Sequence, residues 1–202
     1  QHLDANDVKF EDFLTKLYPD TAHFIYELLQ NAEDPHATTA RFKLTSNKIE
    51  FEHDGKKQLI SPAAEATYSY DPETGKELWF IRHGSGFGYN VTCRPIFRHG
   101  LVFTNSGISK KLFAIDPSGS GDVTNTHIRW TTRRGVSNIP APLVVGDNLY
   151  MISDSGGMVS CFEAKTGNQI FSERLGGLQN HWISPICADG KIYFFSKDGI
   201  SS

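Results

Sequence analysis

The sequence predicts a mainly β protein, namely a partial β-propeller of about three four-stranded blades after a small α+β segment of two helices and a hairpin. A motif of proline, short apolar strand, turn, aromatic strand and Gly-ending turn occurs three times, with prolines 47 and 43 residues apart at Pro95, Pro142 and Pro185. The acids that end the next strand, Asp71, Asp116 and Glu163, are spaced by 45 and 47. Such periods, built from short strands, are typical of propeller blades.

The first segment has helical periodicity instead. Apolar residues recur at helical spacing from Phe10 to Leu17, and Pro19 ends that helix. A second helix is predicted from the N-cap Thr21 to Asp34, with one apolar stripe. Alternating strands at 40–44 and 48–52 then predict a hairpin. We therefore expect a first domain at 1–58 and propeller repeats at 59–202.

Each blade is expected to hold four antiparallel strands, named a to d from the axis outward. Strand a follows the proline, strand b is aromatic, strand c ends on the acid, and strand d ends on an aromatic residue after a turn with Gly. The segment 117–126 is an insertion that we interpret as an enlarged surface turn. Trp79 and Trp130 close strands d, so we expect them to pack in the core, and we expect the same of Trp182.

Counting strands gives an incomplete ring. The repeats begin with strands c and d, continue through two full blades, and end with strands a and b. Closed propellers need at least about four blades. We therefore expect protein partners, or self-association, through open blade edges.

The second predicted helix carries polar residues at functional spacing. Glu27 and Asn31 are four residues apart and share a face, and Asp34 lies close to it. A carboxylate and an amide placed in this way can hold hydrated Mg²⁺ and orient a water. The alternative is an amphipathic helix with a solvated acidic face.

This helix resembles the N-box of the GHKL ATPase superfamily, most closely the sacsin-like ATP-binding group. The resemblance implies that Glu27 is the general base, Asn31 a Mg²⁺ ligand and Asp34 a neighbour of the nucleotide. The stretch ending in Asp54 and Gly55 resembles the strand that leads into the family's adenine-binding motif. Its glycine spacing differs, however, and no Gly-rich lid follows. We expect an incomplete ATP site, because a phosphate cradle needs the backbone N–H groups of such a loop.

The segments 70–79 and 161–171 resemble the quinoprotein (PQQ-like) propeller repeat, including the BamB-like envelope proteins. In the dehydrogenases of that group, a vicinal Cys-Cys disulfide, a Trp floor and Ca²⁺ hold the quinone. Cys93, Cys161 and Cys187 are not adjacent, and we expect buried reduced thiols. We therefore expect no cofactor, with ATP/Mg or PQQ/Ca implied by resemblance alone. The abrupt join near residue 58 suggests a chimera of two truncated families.

Composition narrows the function further. The net charge of −3 gives no nucleic-acid footprint, and no apolar run reaches the roughly 18 residues of a membrane span. We expect His83, His99 and His127 to be exposed turn residues. The leading hypothesis is a non-catalytic, protein-binding propeller scaffold, with a slight preference for the cell envelope. The alternatives are a Mg²⁺-dependent GHKL-type ATPase and a PQQ-dependent dehydrogenase.

Overall fold

The computed structural model describes residues 40–44, 49–53, 57–84, 93–176 and 180–197, with backbone alone in the first two ranges. The chain divides into two compact units, Gln1–Lys57 and Gln58–Ser202. In the first unit, β1 (Ala40–Leu44) and β2 (Ile49–His53) pair antiparallel, as predicted for the hairpin. The two predicted helices lie outside the described residues.

Two regular four-stranded sheets form the middle of the second unit. Blade 2 consists of β6 (Ile96–Arg98), β7 (Leu101–Asn105), β8 (Leu112–Ile115) and β10 (Ile128–Thr132). Blade 3 consists of β11 (Leu143–Val145), β12 (Asn148–Ile152), β13 (Met158–Glu163) and β14 (Gln169–Arg174). All neighbouring strands in both sheets are antiparallel. The predicted strands a to d are confirmed in these two blades.

Blade 1 contains a strand before strand c that the sequence did not predict. It has strand c, β4 (Ala66–Tyr70), and strand d, β5 (Glu77–Arg82), but also β3 (Leu59–Pro62) paired antiparallel with β4. The prediction that this blade begins with c and d alone was therefore wrong. The short β3 lacks the aromatic residue that marks strand b in the other blades.

The inserted segment in blade 2 is more than a surface turn. Within it, β9 (Gly121–Asp122) pairs parallel with β5 and becomes the outer strand of blade 1. The backbone N–H of Val123 also donates to the carbonyl of Phe80 (3.0 Å). The insertion thus joins blade 2 to blade 1 through the backbone.

A two-stranded sheet follows blade 3. It pairs β15 (Ile186–Ala188) with β16 (Lys191–Tyr193), the predicted strands a and b, and we call it half-blade 4. The first strands of blade 2, blade 3 and half-blade 4 are neighbours, since β11 contacts both β6 and β15. The one helical element in the part of unit 2 that the structure describes is a 3₁₀ turn, Gly107–Ser109.

The cores of the second unit lie between successive sheets. Trp79 and Ile81 of blade 1 pack with Phe113 of blade 2, while Phe103 of blade 2 packs with Leu149 of blade 3. A smaller cluster joins blade 3 to half-blade 4, with Ile152, Val159 and Phe194 as buried members. Each sheet is therefore stabilised mainly by its neighbours, as expected for a stacked repeat. Among the described residues, no helix is long and apolar enough to cross a membrane.

Candidate interaction surface

An aromatic side chain from strand d joins blade 2 to blade 3. The indole Nε1 of Trp130 donates to the carbonyl of Ala164 (2.9 Å), and the Trp130 ring lies 5.9 Å from that of Phe103, centroid to centroid. The ring covers Gly167, where a Cβ atom would lie 2.5 Å from Cδ2 of Trp130. We call this contact, a strand-d aromatic against the Gly turn of the next blade, the aromatic latch.

The turn that receives Trp130 is set by its local sequence. The N–H of Glu163 donates to the carbonyl of Asn168, and the N–H of Gly167 donates to the carbonyl of Glu163 (both 2.8 Å). Gly167 has φ +74°, a conformation that costs other residues about 1–2 kcal/mol. Glycine is therefore required here for two reasons: the turn needs a positive φ, and the Trp130 indole leaves no room for a Cβ atom.

A glutamine bridges the corresponding contact between blades 1 and 2. Nε1 of Trp79 donates to Oε1 of Gln58 (2.7 Å), and Nε2 of Gln58 donates to the carbonyl of Pro117 (3.0 Å). Pro117 and Ala164 hold equivalent positions, each directly after the acid that ends strand c. Trp130 donates directly to its carbonyl, whereas the side-chain amide of Gln58 lies between Trp79 and the equivalent carbonyl of Pro117. Ser69 also donates to Oε1 of Gln58 (2.8 Å). Gln58 was not predicted as a contact residue, because no local feature of the sequence indicates its contact with Pro117, 59 residues away.

Trp182 is presented outward, next to an anchored residue. Its side chain is 58% exposed and that of Ile183 is 50% exposed, while His181 is fully buried. The N–H of His181 donates to the carbonyl of Asp154 (2.9 Å), and burial lowers the pKa of His181. The expectation that Trp182 packs in the core was wrong, whereas Trp79 is buried and Trp130 is partly buried, as predicted.

Lys197 adds a cation to this exposed ring. Its Nζ lies 5.9 Å from the centroid of Trp182, within the range of a cation–π contact. The backbone N–H of Lys197 donates to the carbonyl of Asn180 (2.9 Å), which ties the two segments together. We call Trp182, Ile183 and Lys197 the Trp182 patch.

The carboxylate of Asp154 is engaged in joining blades. It accepts hydrogen bonds from the N–H groups of Asn138 (2.8 Å) and Ile139 (3.0 Å) and pairs with Nζ of Lys110 (2.8 Å). These partners lie in blade 2 and in the connection to blade 3. The side chain of Asp154 therefore links blade 3 to blade 2, while its backbone carbonyl holds His181.

Two of the histidines are not exposed turn residues. His83 is buried, with Nε2 2.9 Å from Oγ1 of Thr67, and burial lowers its pKa to about 4. His99 is largely covered, and its Nε2 lies 2.8 Å from the carbonyl of Gly146 in blade 3. The prediction was wrong for both because the inter-blade contacts that cover them depend on tertiary structure.

The cysteines do not form a quinone-binding pair. Cys93 and Cys161 are buried and free, and burial raises the pKa of Cys93 to about 12. Cys187 is exposed, contrary to expectation. In the ranges that the structure describes, no group of three His, Cys, Asp or Glu side chains is placed to hold a metal ion. These residues do not fit the quinone site of the dehydrogenases, and we derive no step through that cofactor.

The residues of the predicted nucleotide site belong to the first unit. Glu27, Asn31, Asp34 and Asp54 all lie outside the described residues. Their roles in binding Mg²⁺ or nucleotide stay predictions from the resemblance.

Successive four-stranded sheets joined by an aromatic latch define a β-propeller repeat protein. A family model described as outer membrane protein assembly factor BamB matches residues 39–200. This is most of the chain, which therefore belongs to that family. The match includes the hairpin that we assigned to the first domain, and residues 1–38 lie outside it. The ATPase resemblance and the chimera stay predictions.

Solved structures show the same fold. BamB from Moraxella catarrhalis is 19% identical, with a TM-score of 0.51, and the alignment covers 71% of this chain and 44% of that one. The computationally designed Ika4 protein is 14% identical, with a TM-score of 0.53, and the alignment covers 83% of this chain and 91% of that one. The chain thus spans less than half of the BamB structure. No curated protein sequence matches it.

Proposed function

We propose that the chain is a non-catalytic protein-binding module that uses the Trp182 patch as its binding surface. The observation that carries this proposal is a Trp side chain that is 58% exposed directly after a fully buried anchor, His181. A rigidly held aromatic side chain loses little conformational entropy on binding, and Trp is enriched among the residues that dominate interface energies.

The family suggests the chemistry of the partner. Its description as an outer membrane protein assembly factor leads us to propose a protein of that assembly process. The patch combines an indole, an aliphatic side chain and one ammonium group. It therefore suits a segment with apolar side chains and a carboxylate. We derive no reaction for the ATPase or dehydrogenase alternatives, since no described residue favours either.

The exposed thiol of Cys187 allows a direct test. It lies five residues after Trp182, and the other two thiols are buried. A benzophenone maleimide on Cys187 is irradiated in an envelope extract of the source organism, and adducts are identified by mass spectrometry. We expect an adduct with an outer-membrane assembly protein that is lost in Trp182→Ala.

The matched control is Ile108→Ala, which removes another exposed apolar side chain (48%) from blade 2, outside the patch. It should leave the adduct unchanged. An adduct that survives Trp182→Ala and Ile183→Ala together, or the lack of any specific adduct, would contradict the proposal.

A further inference from the structure

The insertion of blade 2 shows how strand d of this repeat accepts an additional strand. β9 lies along the outer edge of β5 in parallel register, with Asp122 beside Phe80. The backbone carbonyl of Phe80 accepts a hydrogen bond from the N–H of Val123 (3.0 Å). The backbone N–H and C=O groups at the edge of a sheet bind an added strand in this way. The outer edge of strand d is therefore a binding site, which the chain fills in blade 1 with its own backbone.

The side chains of the added segment hold it in this position. Oγ1 of Thr124 accepts a hydrogen bond from the backbone N–H of Arg82 (2.9 Å), and the carboxylate of Asp122 pairs with Nε of Arg82 (3.4 Å). Between these two residues, Val123 is buried in the cluster against which Leu78 packs. An acidic residue, an apolar residue and a threonine in succession thus bind the end of β5.

Strand β14 of blade 3 has the same receiving groups. Phe171 is the equivalent of Trp79, since each lies opposite the residue two positions before the acid that ends strand c. Ser172 therefore takes the place of Phe80, and Arg174 takes the place of the arginine in β5. Because alternate residues of a strand direct their backbone groups to the same side, those of Ser172 and Arg174 lie at the outer edge.

The guanidinium of Arg174 is held in place at the end of this edge. Its Nη1 donates to the carbonyl of Gly156 in the same blade (2.9 Å). A guanidinium carries five N–H donors in a fixed arrangement, so this bond orients the group and leaves donors for a carboxylate. The cation that pairs with Asp122 in blade 1 thus has a counterpart in blade 3.

The residue before the strand-d aromatic distinguishes the three blades. Leu78 packs against the cluster that contains Val123 in blade 1, and Arg129 pairs with Asp116 in blade 2. Ile170, the equivalent residue in blade 3, is 55% exposed, and all six residues of β14 are exposed. In the part of the chain that the structure describes, β14 is also an outermost strand of its sheet. Its edge therefore presents backbone groups, an apolar side chain and a cation together.

We propose that the outer edge of β14 binds an extended segment of a partner protein by parallel strand addition. The segment carries an acidic residue for the guanidinium of Arg174, then an apolar residue for Ile170, then a hydroxyl that accepts from the backbone N–H of Arg174. The backbone hydrogen bonds supply affinity for any extended chain, and these three side chains supply specificity. The site is separate from the Trp182 patch and does not rest on the function proposed for it.

A peptide with the sequence of residues 120–126 is the probe for this edge. It is labelled with fluorescein at its N-terminus and titrated with the full chain, and binding is followed by fluorescence anisotropy. The tethered copy of this segment occupies the edge of β5 at a high effective concentration, so the added peptide is directed to β14. We expect saturable binding with a Kd of about 1 mM or tighter. Hydrogen exchange of the β14 amides should slow when the peptide is bound, whereas that of the β10 amides should not.

Two variants at one position test the strand addition itself. Ser172→Pro removes the outward N–H, and proline is tolerated at an edge strand but obstructs the pairing of a further strand. Ser172→Ala is the matched control, because it keeps the N–H and, like the proline variant, loses the hydroxyl next to Ser160 (3.1 Å). Ser172→Pro should weaken peptide binding about tenfold or more, and Ser172→Ala should change it less than about twofold. Circular dichroism of both variants verifies that the β-sheet content is retained.

A change in the peptide tests the charge. A peptide that carries Asp122→Lys should bind about tenfold more weakly to the unchanged chain, because it places an ammonium group next to Arg174. Failure of the unchanged peptide to bind at millimolar concentration would overturn the proposal, and so would equal binding by Ser172→Pro and Ser172→Ala. Protection of strands other than β14 would overturn it as well. Trp182→Ala should leave peptide binding unchanged, so the two proposals fail separately.

Discussion

Replacing Gly167 with Ala perturbs the latch between blades 2 and 3 at its tightest point. The new Cβ would lie 2.5 Å from Cδ2 of Trp130, so the indole has to move. That movement breaks its hydrogen bond to the carbonyl of Ala164 (2.9 Å). Gly75→Ala is the matched control, because its turn has the same hydrogen bonds and a similar φ but no ring on it.

The expected magnitudes separate the two variants. A positive φ costs Ala about 1–2 kcal/mol at either site. Overpacking adds about 1–3 kcal/mol, and the lost hydrogen bond about 1 kcal/mol, at Gly167 alone. We therefore expect the free energy of unfolding to fall by about 3–6 kcal/mol in Gly167→Ala and by about 1–2 kcal/mol in Gly75→Ala.

Urea unfolding, followed by circular dichroism and Trp fluorescence in dilute solution, measures both values. Equal destabilisation in the two variants would refute the latch, because the difference between them isolates the contact with Trp130.

Three further predictions follow from particular contacts. Gln58→Ala should lower the free energy of unfolding by about 1–3 kcal/mol, because the indole of Trp79 loses its acceptor; urea titration measures it, and a neutral result contradicts the bridge. The pKa of His83 falls from 6.5 in the unfolded chain to about 4 in the folded chain. As the pH falls from 6.5 to 4, the unfolded chain binds a proton that the folded chain does not, so about 3 kcal/mol of the free energy of unfolding should be lost. Thermal unfolding against pH checks this, and His83→Gln should flatten the profile. A thiol reagent should label Cys187 rapidly in the native chain and the two buried cysteines only on unfolding; equal rates would contradict the burial.

The sequence predicted the regular blades because their signals are local. Proline before strand a, Gly in the turns and an aromatic at the end of strand d depend on residues close together in the chain. The periods of 43–47 residues then gave the order of the strands. Strand β3 escaped this reasoning because Leu59–Pro62 alternates weakly and has no aromatic residue.

The contacts between blades could not be predicted in the same way. Nothing near Gln58 indicates that its amide spans the gap between Trp79 and Pro117, 59 residues away. The 117–126 insertion has the composition of a turn, and its pairing with β5 depends on the position of blade 1. Trp182 has the same residue type as Trp79, and its exposure is a property of the assembled sheets.

Iodide quenching of tryptophan fluorescence tests the central claim most directly, namely that two of the three tryptophans are held between blades and the third is presented for binding. In the native chain iodide should quench the emission of Trp182, and Trp182→Phe should abolish most of the quenching. Strong quenching that persists in Trp182→Phe would place Trp79 or Trp130 in contact with solvent and contradict the account.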